Sequence, residues 1–470
     1  MGVLRTYFDF LMEYAPYFYY LSDSGIVDPE WGRGPAPASF AIQFLNEAYY
    51  AKEFESEKTA IQAKIVELAD YLLTIQCVDD AKLAYGGFKS RDDSAYYYSV
   101  DAMRAIPALL TAYDLTGNQN YSDAAKLAGG TFLYNMQHKP SLLGVHDQYY
   151  GGFAQAITLS EAWLVDMYVA DLYGTIALLQ LHTRTGEIKY QTMLNDSLNF
   201  YRGGFENLYL KYSPQPYGDG NWHRTGAQEN LIYDDDFGYA LLGLYSYEGW
   251  SQTVKKVYEA INTIGNCVEY PSYNPLVCWA GYVDVINHKP ACEYYDCVTA
   301  GILFEIRNSY DSIALDQSAK SVLVNPDNFM FWGVKFSDYT PVENKKSTVT
   351  VSWLAHLLIN YSPLTSVFTR ILQVYGRRIT LLSRRETNGT VSYSEAAAIM
   401  AIISPAQASE TFIQPGYASN DVVRVYTVSN IAHRDKIAFD SKEYEVGPVE
   451  EFRFQNQLMY RTAVCRRLNQ

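Results

Sequence analysis

The chain has 470 residues, is 48% hydrophobic and carries a formal net charge of −15. Such a length predicts two or three domains around a large buried core. No run of ~18 apolar residues occurs, which excludes a membrane-spanning helix, and the acidic balance excludes nucleic acid as a partner of the main body.

Read in chain order, residues 2–20 form an amphipathic helix carrying Asp9 and Glu13. The segment lacks the apolar stretch and cleavage site of a signal peptide. The expectation is a protein that stays where it is made, or leaves by lysis or on a particle. Further along, Ala108-Leu-Leu-Thr-Ala-Tyr-Asp-Leu-Thr-Gly-Asn-Gln-Asn-Tyr121 returns as Ala177-Leu-Leu-Gln-Leu-His-Thr-Arg-Thr-Gly-Glu-Ile-Lys-Tyr190, 69 residues on. Tyr85-Gly-Gly-Phe88 returns as Tyr150-Gly-Gly-Phe153, 65 residues on. A weaker third copy starts at Ala240-Leu-Leu and a fourth at Gly301-Ile-Leu. A helix, a Thr-Gly stop and a second helix at this period describe an array of α-hairpins. Glycine closes the first helix because it tolerates the left-handed conformation there.

Inner helices are predicted near 37–50, 99–115, 168–184, 235–247, 297–308 and 349–360, and outer helices near 58–77, 121–137, 188–205, 250–264 and 311–323. The sixth inner helix has no following partner, and Pro363 ends it. The amino-terminal helix fills that vacancy if the array closes; an open solenoid is the alternative. Turns from inner to outer helix are short. The return connections, about 138–167, 206–234 and 265–296, are long and fall beside the inner-helix amino termini. Long loops in compact domains mark function, so a cleft on that face is the expected site.

After Pro363 the pattern becomes strand-like: 374–384, Val422–Thr427, Lys436–Phe439, Glu443–Val446 and Tyr460–Arg466 alternate with period two. From Pro363 to Gln470, 13 Lys and Arg stand against 10 Asp and Glu, whereas the rest of the chain has 24 basic and 42 acidic residues. A basic tail on an acidic body points to a different partner for each. The fold class is therefore mainly α: an (α/α)6 toroid over 1–362, followed by a small β-barrel or sandwich domain over 363–470.

Cys267, Cys278, Cys292 and Cys297 crowd together, with spacings that match no zinc pattern. One or two disulfides are expected, with free thiols as the alternative. Cys77 and Cys465 read as ordinary buried residues. Neither a metal nor a cofactor is expected, because no phosphate-binding loop, dinucleotide fingerprint or serine elbow occurs.

The leucine-rich helices with Thr116-Gly117 and Thr185-Gly186, each followed by Tyr121 or Tyr190, resemble those of the six-hairpin glycosidases. That resemblance covers residues 1–362 and is architectural. It implies a hydrolase, lyase or epimerase acting on carbohydrate, and carries no subfamily motif. The tail, through Tyr375-Gly-Arg-Arg-Ile-Thr-Leu381, Arg424-Val-Tyr-Thr427, Arg434–Val446 and Tyr460–Arg467, resembles the small β modules of tailed-virus head–tail adaptors. Ser441-Lys442 departs from the glycine often found in that turn. This second resemblance implies docking of residues 363–470 to viral capsid, portal or tail proteins, in an oligomeric assembly.

Aspartates gather where inner helices begin: Asp101, Asp166 and Asp171, Asp234 to Asp236, and Asp296. Singly, each reads as a helix cap. Collectively, in a closed ring, they converge on one cleft. Glycoside hydrolysis needs two carboxyl groups, one as acid and one as base or nucleophile, and crowding within Asp234-Asp-Asp236 favours a protonated member. Asp235 is the expected acid, and Asp171 or Asp101 the base. Tyr97, His146, Asp147, Trp163, Trp222, His223, Tyr233 and Trp279 are the expected substrate-binding residues, since the 43 tyrosines offer flat faces with a hydroxyl. Packing of loops against the ring explains the same aromatics equally well.

The function expected on this basis is a virion-associated adaptor, decoration or fibre-type protein whose toroid binds or hydrolyses surface glycan. The alternative is a free carbohydrate-active enzyme, extracellular or cytoplasmic, with an accessory β domain.

Overall fold

The computed structural model describes residues 2–139, 150–164, 169–211, 231–249, 251–256, 258, 268–269, 277–278, 280–284, 289–302, 322–323, 326–335, 340–359, 377–387, 390–405, 422–427, 431–439, 442–454 and 457–468. The chain divides into two compact units, one holding 1–310 and 317–360, the other 311–316 and 361–470.

The first unit is built of helices in pairs. In order these are α1 (Gly2–Tyr14), α2 (Pro35–Tyr50), α3 (Lys58–Ile75), α4 (Ser99–Thr116), α5 (Gln119–Leu127), α6 (Gly174–Thr185), α7 (Ile188–Lys211), α8 (Asp234–Glu248), α9 (297–302) and α10 (Thr348–Ile359). α5 continues through a π-turn at Ala128–Leu133 to Met136. A one-turn 3-10 segment, Val169–Tyr173, leads into α6.

The inner helices form a closed ring. α10 packs on α2, α2 on α4, α4 on α6, and α6 on α8. α8 then meets α9, where a side chain on Gly238 would touch Ile302 at 3.2 Å. α9 meets α10, where one on Gly301 would stand 2.7 Å from Trp353 Cβ. The toroid expected from counting hairpins therefore closes, and α1 packs against α10 in the vacant outer place. Tyr7, fully buried, ties α1 down by donating to Pro326 O at 2.7 Å. The amino-terminal helix is shorter than the 2–20 expected. The residue before a proline is pushed out of the helical region, so the helix ends ahead of Ala15-Pro16, and Tyr19–Leu21 instead pairs with Lys345–Ser347.

The duplicated sequence is duplicated geometry. Gly117 and Gly186 both adopt φ +70° and donate back to Tyr113 O and His182 O at 2.8 Å. In each copy the preceding threonine bonds the carbonyl four residues earlier and caps the next turn: Thr116 Oγ1 accepts from Asn118 N, and Thr185 Oγ1 accepts from Glu187 N. A second pair of equivalents was not anticipated. Gln76 Nε2 donates to Gly86 O and Ala124 O, and Gln137 Nε2 donates to Gly151 O and Met193 O. Each glutamine thus clamps its Tyr-Gly-Gly-Phe turn to a neighbouring helix.

Short strands stand directly before the inner helices α4, α8 and α9. Tyr96–Tyr98 pairs with Ala156–Thr158, Leu231–Tyr233 with Tyr282–Asp284, and Tyr294–Asp296 with Gly333–Lys335. These ladders give the loop face a hydrogen-bonded rim.

The second unit holds six antiparallel strands: β1 (Arg377–Thr387), β2 (Thr390–Pro405), β3 (Val422–Thr427), β4 (Lys436–Phe439), β5 (Lys442–Phe454) and β6 (Gln457–Arg467). Their pairing order β1-β2-β3-β6-β5-β4 returns to β1 and closes. Ile379, Leu381, Val425, Ile437, Val446 and Cys465 are at the core. β2 was missed in the sequence because Glu395-Ala-Ala-Ala-Ile-Met-Ala401 has helix-forming composition. Pairing on both edges overrides that preference. β5 runs through Gly447-Pro448 by a register shift between Val446 and Val449, which is where a strand accommodates proline.

Cys292 and Cys297 form no disulfide, and neither do Cys77 and Cys465. This corrects the expectation of disulfides for the first two. Cys267 and the side chain of Cys278 lie outside the described residues.

Candidate active site

The inner helices converge with their amino termini around a cavity of about 430 Å³. Its lining comes from the loop before α2, the 90–98 loop, and the first turns of α4, α8, α9 and α10. Among the described residues, two carboxylates stand in it: Asp101 at 5% exposure and Asp236 at 7%. Both occupy the first turn of an inner helix, where the helix dipole favours an anion.

Arg104 belongs to the same lining, one turn along α4 from Asp101, with Nη1 3.6 Å from Asp101 Oδ1. Its guanidinium also lies 4.6 Å over the ring of Tyr239, three residues after Asp236 on α8. Arg104 thus bridges the Asp101 carboxylate and the Tyr239 ring. Arg104 Nε is buried without a hydrogen-bond acceptor in the protein. A buried donor left unpaired is costly, so this group suits a polar ligand or water in the cavity.

One wall is aromatic. Trp31 packs edge-on against Phe18 and Tyr19, with centroids 5.7 and 5.5 Å away. The Arg91 guanidinium lies 5.4 Å over Trp31, and its Nη1 donates to Glu30 O at 3.0 Å. Tyr96 and Tyr98, from alternate positions of the rim strand, stack 5.6 Å apart at the same mouth.

The expected site residues fall into three groups. Asp101 lines the cavity. Asp171 does not: it is 1% exposed and accepts from Tyr201 Oη at 3.3 Å, while Tyr201 Oη itself accepts from Phe153 N at 2.7 Å. Burial and the Asp171 charge push the Tyr201 hydroxyl well above its ordinary pKa, so it stays a donor. Asp171 thus joins the start of an inner helix to the Tyr-Gly-Gly-Phe turn through Tyr201. Asp296 is likewise a cap, accepting from Val298 N at 2.7 Å and Thr299 Oγ1 at 2.9 Å.

Tyr97 points away from the cavity that its neighbours line, and burial raises its pKa. Trp163 sits on the rim strand Trp163–Leu164, half-buried and outside the cavity lining. Asp235 and Tyr233 lie in α8 and the strand before it, but their side chains are outside the described residues. His146, Asp147, Trp222, His223 and Trp279 also lie outside the described residues.

Sequence reasoning set Asp236 in the converging acidic cluster but named Asp235 as the acid, and it missed Arg104, Arg91 and Trp31. The signal for Asp236 and Arg104 was helical spacing: Asp236 shares a face with Tyr239, and Asp101 with Arg104. Among the described residues no cluster of three metal-ligating side chains occurs, and no helix is long and apolar enough to cross a membrane.

No family model matches the sequence, and no curated protein is detectably similar to it. Solved structures do match. A sugar epimerase from a ruminal bacterium is 15% identical with a TM-score of 0.52, covering 77% of this chain and 100% of its own. A D-mannose isomerase is 10% identical with a TM-score of 0.53, covering 77% and 98%. An unsaturated glucuronyl hydrolase specific for heparin is 11% identical with a TM-score of 0.50, covering 76% and 96%. At these identities the likeness concerns the fold alone: the helical unit has the six-hairpin toroidal fold that these sugar epimerases, isomerases and hydrolases share.

Proposed function

We propose that this protein is a carbohydrate-active enzyme whose substrate enters the cavity at the amino-terminal ends of the inner helices. The observation that carries the reading is the pair Asp101 and Asp236, two nearly buried carboxylates facing one aromatic-walled cavity of glycan size. Glycosidic bond cleavage needs two such groups. Arg104 beside Asp101 suits that carboxylate to act charged, as base or nucleophile, and leaves Asp236 as the acid. Trp31, Tyr96 and Tyr98 supply stacking faces for sugar rings, and Arg91, Gln155 and Ser347 supply polar contacts.

The likeness to sugar enzymes favours this reading over the particle-anchored adaptor suggested by the tail. Docking of residues 363–470 to capsid, portal or tail proteins stays a separate proposal, tested by co-sedimentation of the full chain with such particles.

The test of the enzymatic reading is turnover by the full chain on a panel of neutral and acidic oligosaccharides. Activity that falls at least ~100-fold in both Asp101→Asn and Asp236→Asn, with melting unchanged, is the expected result. Equal activity in both variants, or no product from any glycan, overturns it.

A further inference from the structure

We propose a second sugar-binding pocket at the opposite end of the helical ring, selective for a single neutral hexose or cyclic polyol. It does not depend on the cleft being an active site. A cavity of about 200 Å³ lies among the inner helices, lined by residues of α2, α4, α6, α8 and α10 together with Tyr173 just before α6. On four of these helices its lining residues follow those of the cleft in sequence: Phe40 to Glu47 after Ala36, Pro107 after Arg104, Leu242 after Tyr239, and Ser352 to His356 after Val349. The pocket therefore sits farther along the ring axis, toward the short Thr-Gly turns.

An aromatic septum separates the two cavities. Phe40 stacks on Tyr239 at 5.8 Å and packs against Trp353 at 5.0 Å, and Tyr173 meets Tyr239 edge-on at 5.6 Å. Tyr239 faces the cleft, whereas Phe40, Tyr173 and Trp353 face the second pocket.

Three features define the ligand. First, Trp353 is 7% exposed, and its indole Nε1 is buried with no acceptor in the protein. An indole N–H only donates, so the occupant presents an oxygen. Second, the described lining contains no Lys or Arg, and its His356 Nδ1 and Glu47 Oε2 engage each other at 2.6 Å. A neutral ligand rather than an anion suits a lining without a fixed cation. Third, Gln43 and Gln180 line the same space as the aromatic rings. Flat apolar faces beside groups able to bond vicinal hydroxyls are the chemistry of a pyranose or inositol. The volume admits one such ring and no oligosaccharide.

The test is calorimetric titration of the full chain with D-glucose, D-mannose and myo-inositol. Saturable binding of at least one of them is expected. Trp353→Phe, which keeps the ring and removes the donor, weakens it about tenfold, the worth of one hydrogen bond. Gln180→Leu, at a half-buried position outside the septum, weakens it similarly and serves if Trp353→Phe does not fold. Asp236→Asn leaves this binding intact, so a failure of the cleft reading is distinguishable from a failure here. No binding of any of the three, or binding unchanged in both pocket variants, overturns the proposal. A crystal soaked in the sugars that shows ordered water alone on Trp353 Nε1 overturns it as well.

Discussion

Replacing Tyr201 by Phe tests whether Asp171 is scaffold or chemistry. The hydroxyl is fully buried, donating to Asp171 Oδ2 at 3.3 Å and accepting from Phe153 N at 2.7 Å. The ring itself stacks on Phe153 at 6.4 Å, a contact that Phe retains, so the substitution isolates the oxygen. Removing it strands a buried backbone N–H and takes one donor from a buried carboxylate. Each loss costs about 1–3 kcal/mol, and Asp171 keeps other interactions, so a total near 3 kcal/mol is expected. The unit of roughly 350 residues unfolds with an entropy of about 2 cal/mol/K per residue, which converts that cost to a melting shift of about 4 °C. Scanning calorimetry of the full chain reads it in the transition of the helical unit. Turnover at a temperature where both proteins are folded stays unchanged. A melting point within about 1 °C of the parent's refutes the clamp. A lost kcat with intact melting returns Asp171 to the chemistry.

Further outcomes follow from the same geometry. Asp171→Asn lowers stability while keeping turnover, the reverse of Asp101→Asn and Asp236→Asn, and paired melting and rate measurements separate the two patterns. Gly186→Ala costs about 1 kcal/mol, because φ is +70° but the space is open. Gly151→Ala costs several-fold more, because at φ +95° its Cβ would also stand 2.2 Å from Asp196 O; urea denaturation ranks the two. Burial raises the pKa of Tyr121 and Tyr173 to about 12 and pushes Tyr7 and Tyr201 well above the ordinary value. Their neutral form is favoured only in the folded state, so the unfolded chain loses these protons first. Stability is full below pH ~10 and falls as pH rises through ~12. A phenolate absorbance titration that shows all tyrosines ionising near pH ~10 in the folded protein contradicts this.

The ring was legible because its hairpins repeat. Ala-Leu-Leu at 108, 177 and 240 places each inner helix in the same phase, and Thr-Gly closes the first two identically. The same alignment explains why Asp171 stands outside the cavity lining. A shift of 69 carries Asp101 onto Ala170, which lines the cavity, and carries Asp171 onto Ala102, which is fully buried in the core. The presence of an aspartate at a helix start was a weaker guide than its register in the repeat. In α8 the register Ala240-Leu-Leu places Asp236 opposite Arg104, one turn deeper than Asp101, and selects it from a run of three aspartates. Trp31 and Arg91 gave no such signal. They come from non-repeating loops, and only the ring's closure brings the loop before α2 beside the 90–98 loop. In the tail, alternation revealed the β-branched strands but not the alanine-rich β2, whose strand state depends on its two neighbours.

The most direct test of the account is a crystal structure of Asp236→Asn soaked with an oligosaccharide that the parent protein turns over. The scissile bond is expected between positions 101 and 236, with sugar rings against Trp31 or Tyr98. Sugar bound elsewhere on the helical unit or on the strand unit, with that cavity empty, contradicts it.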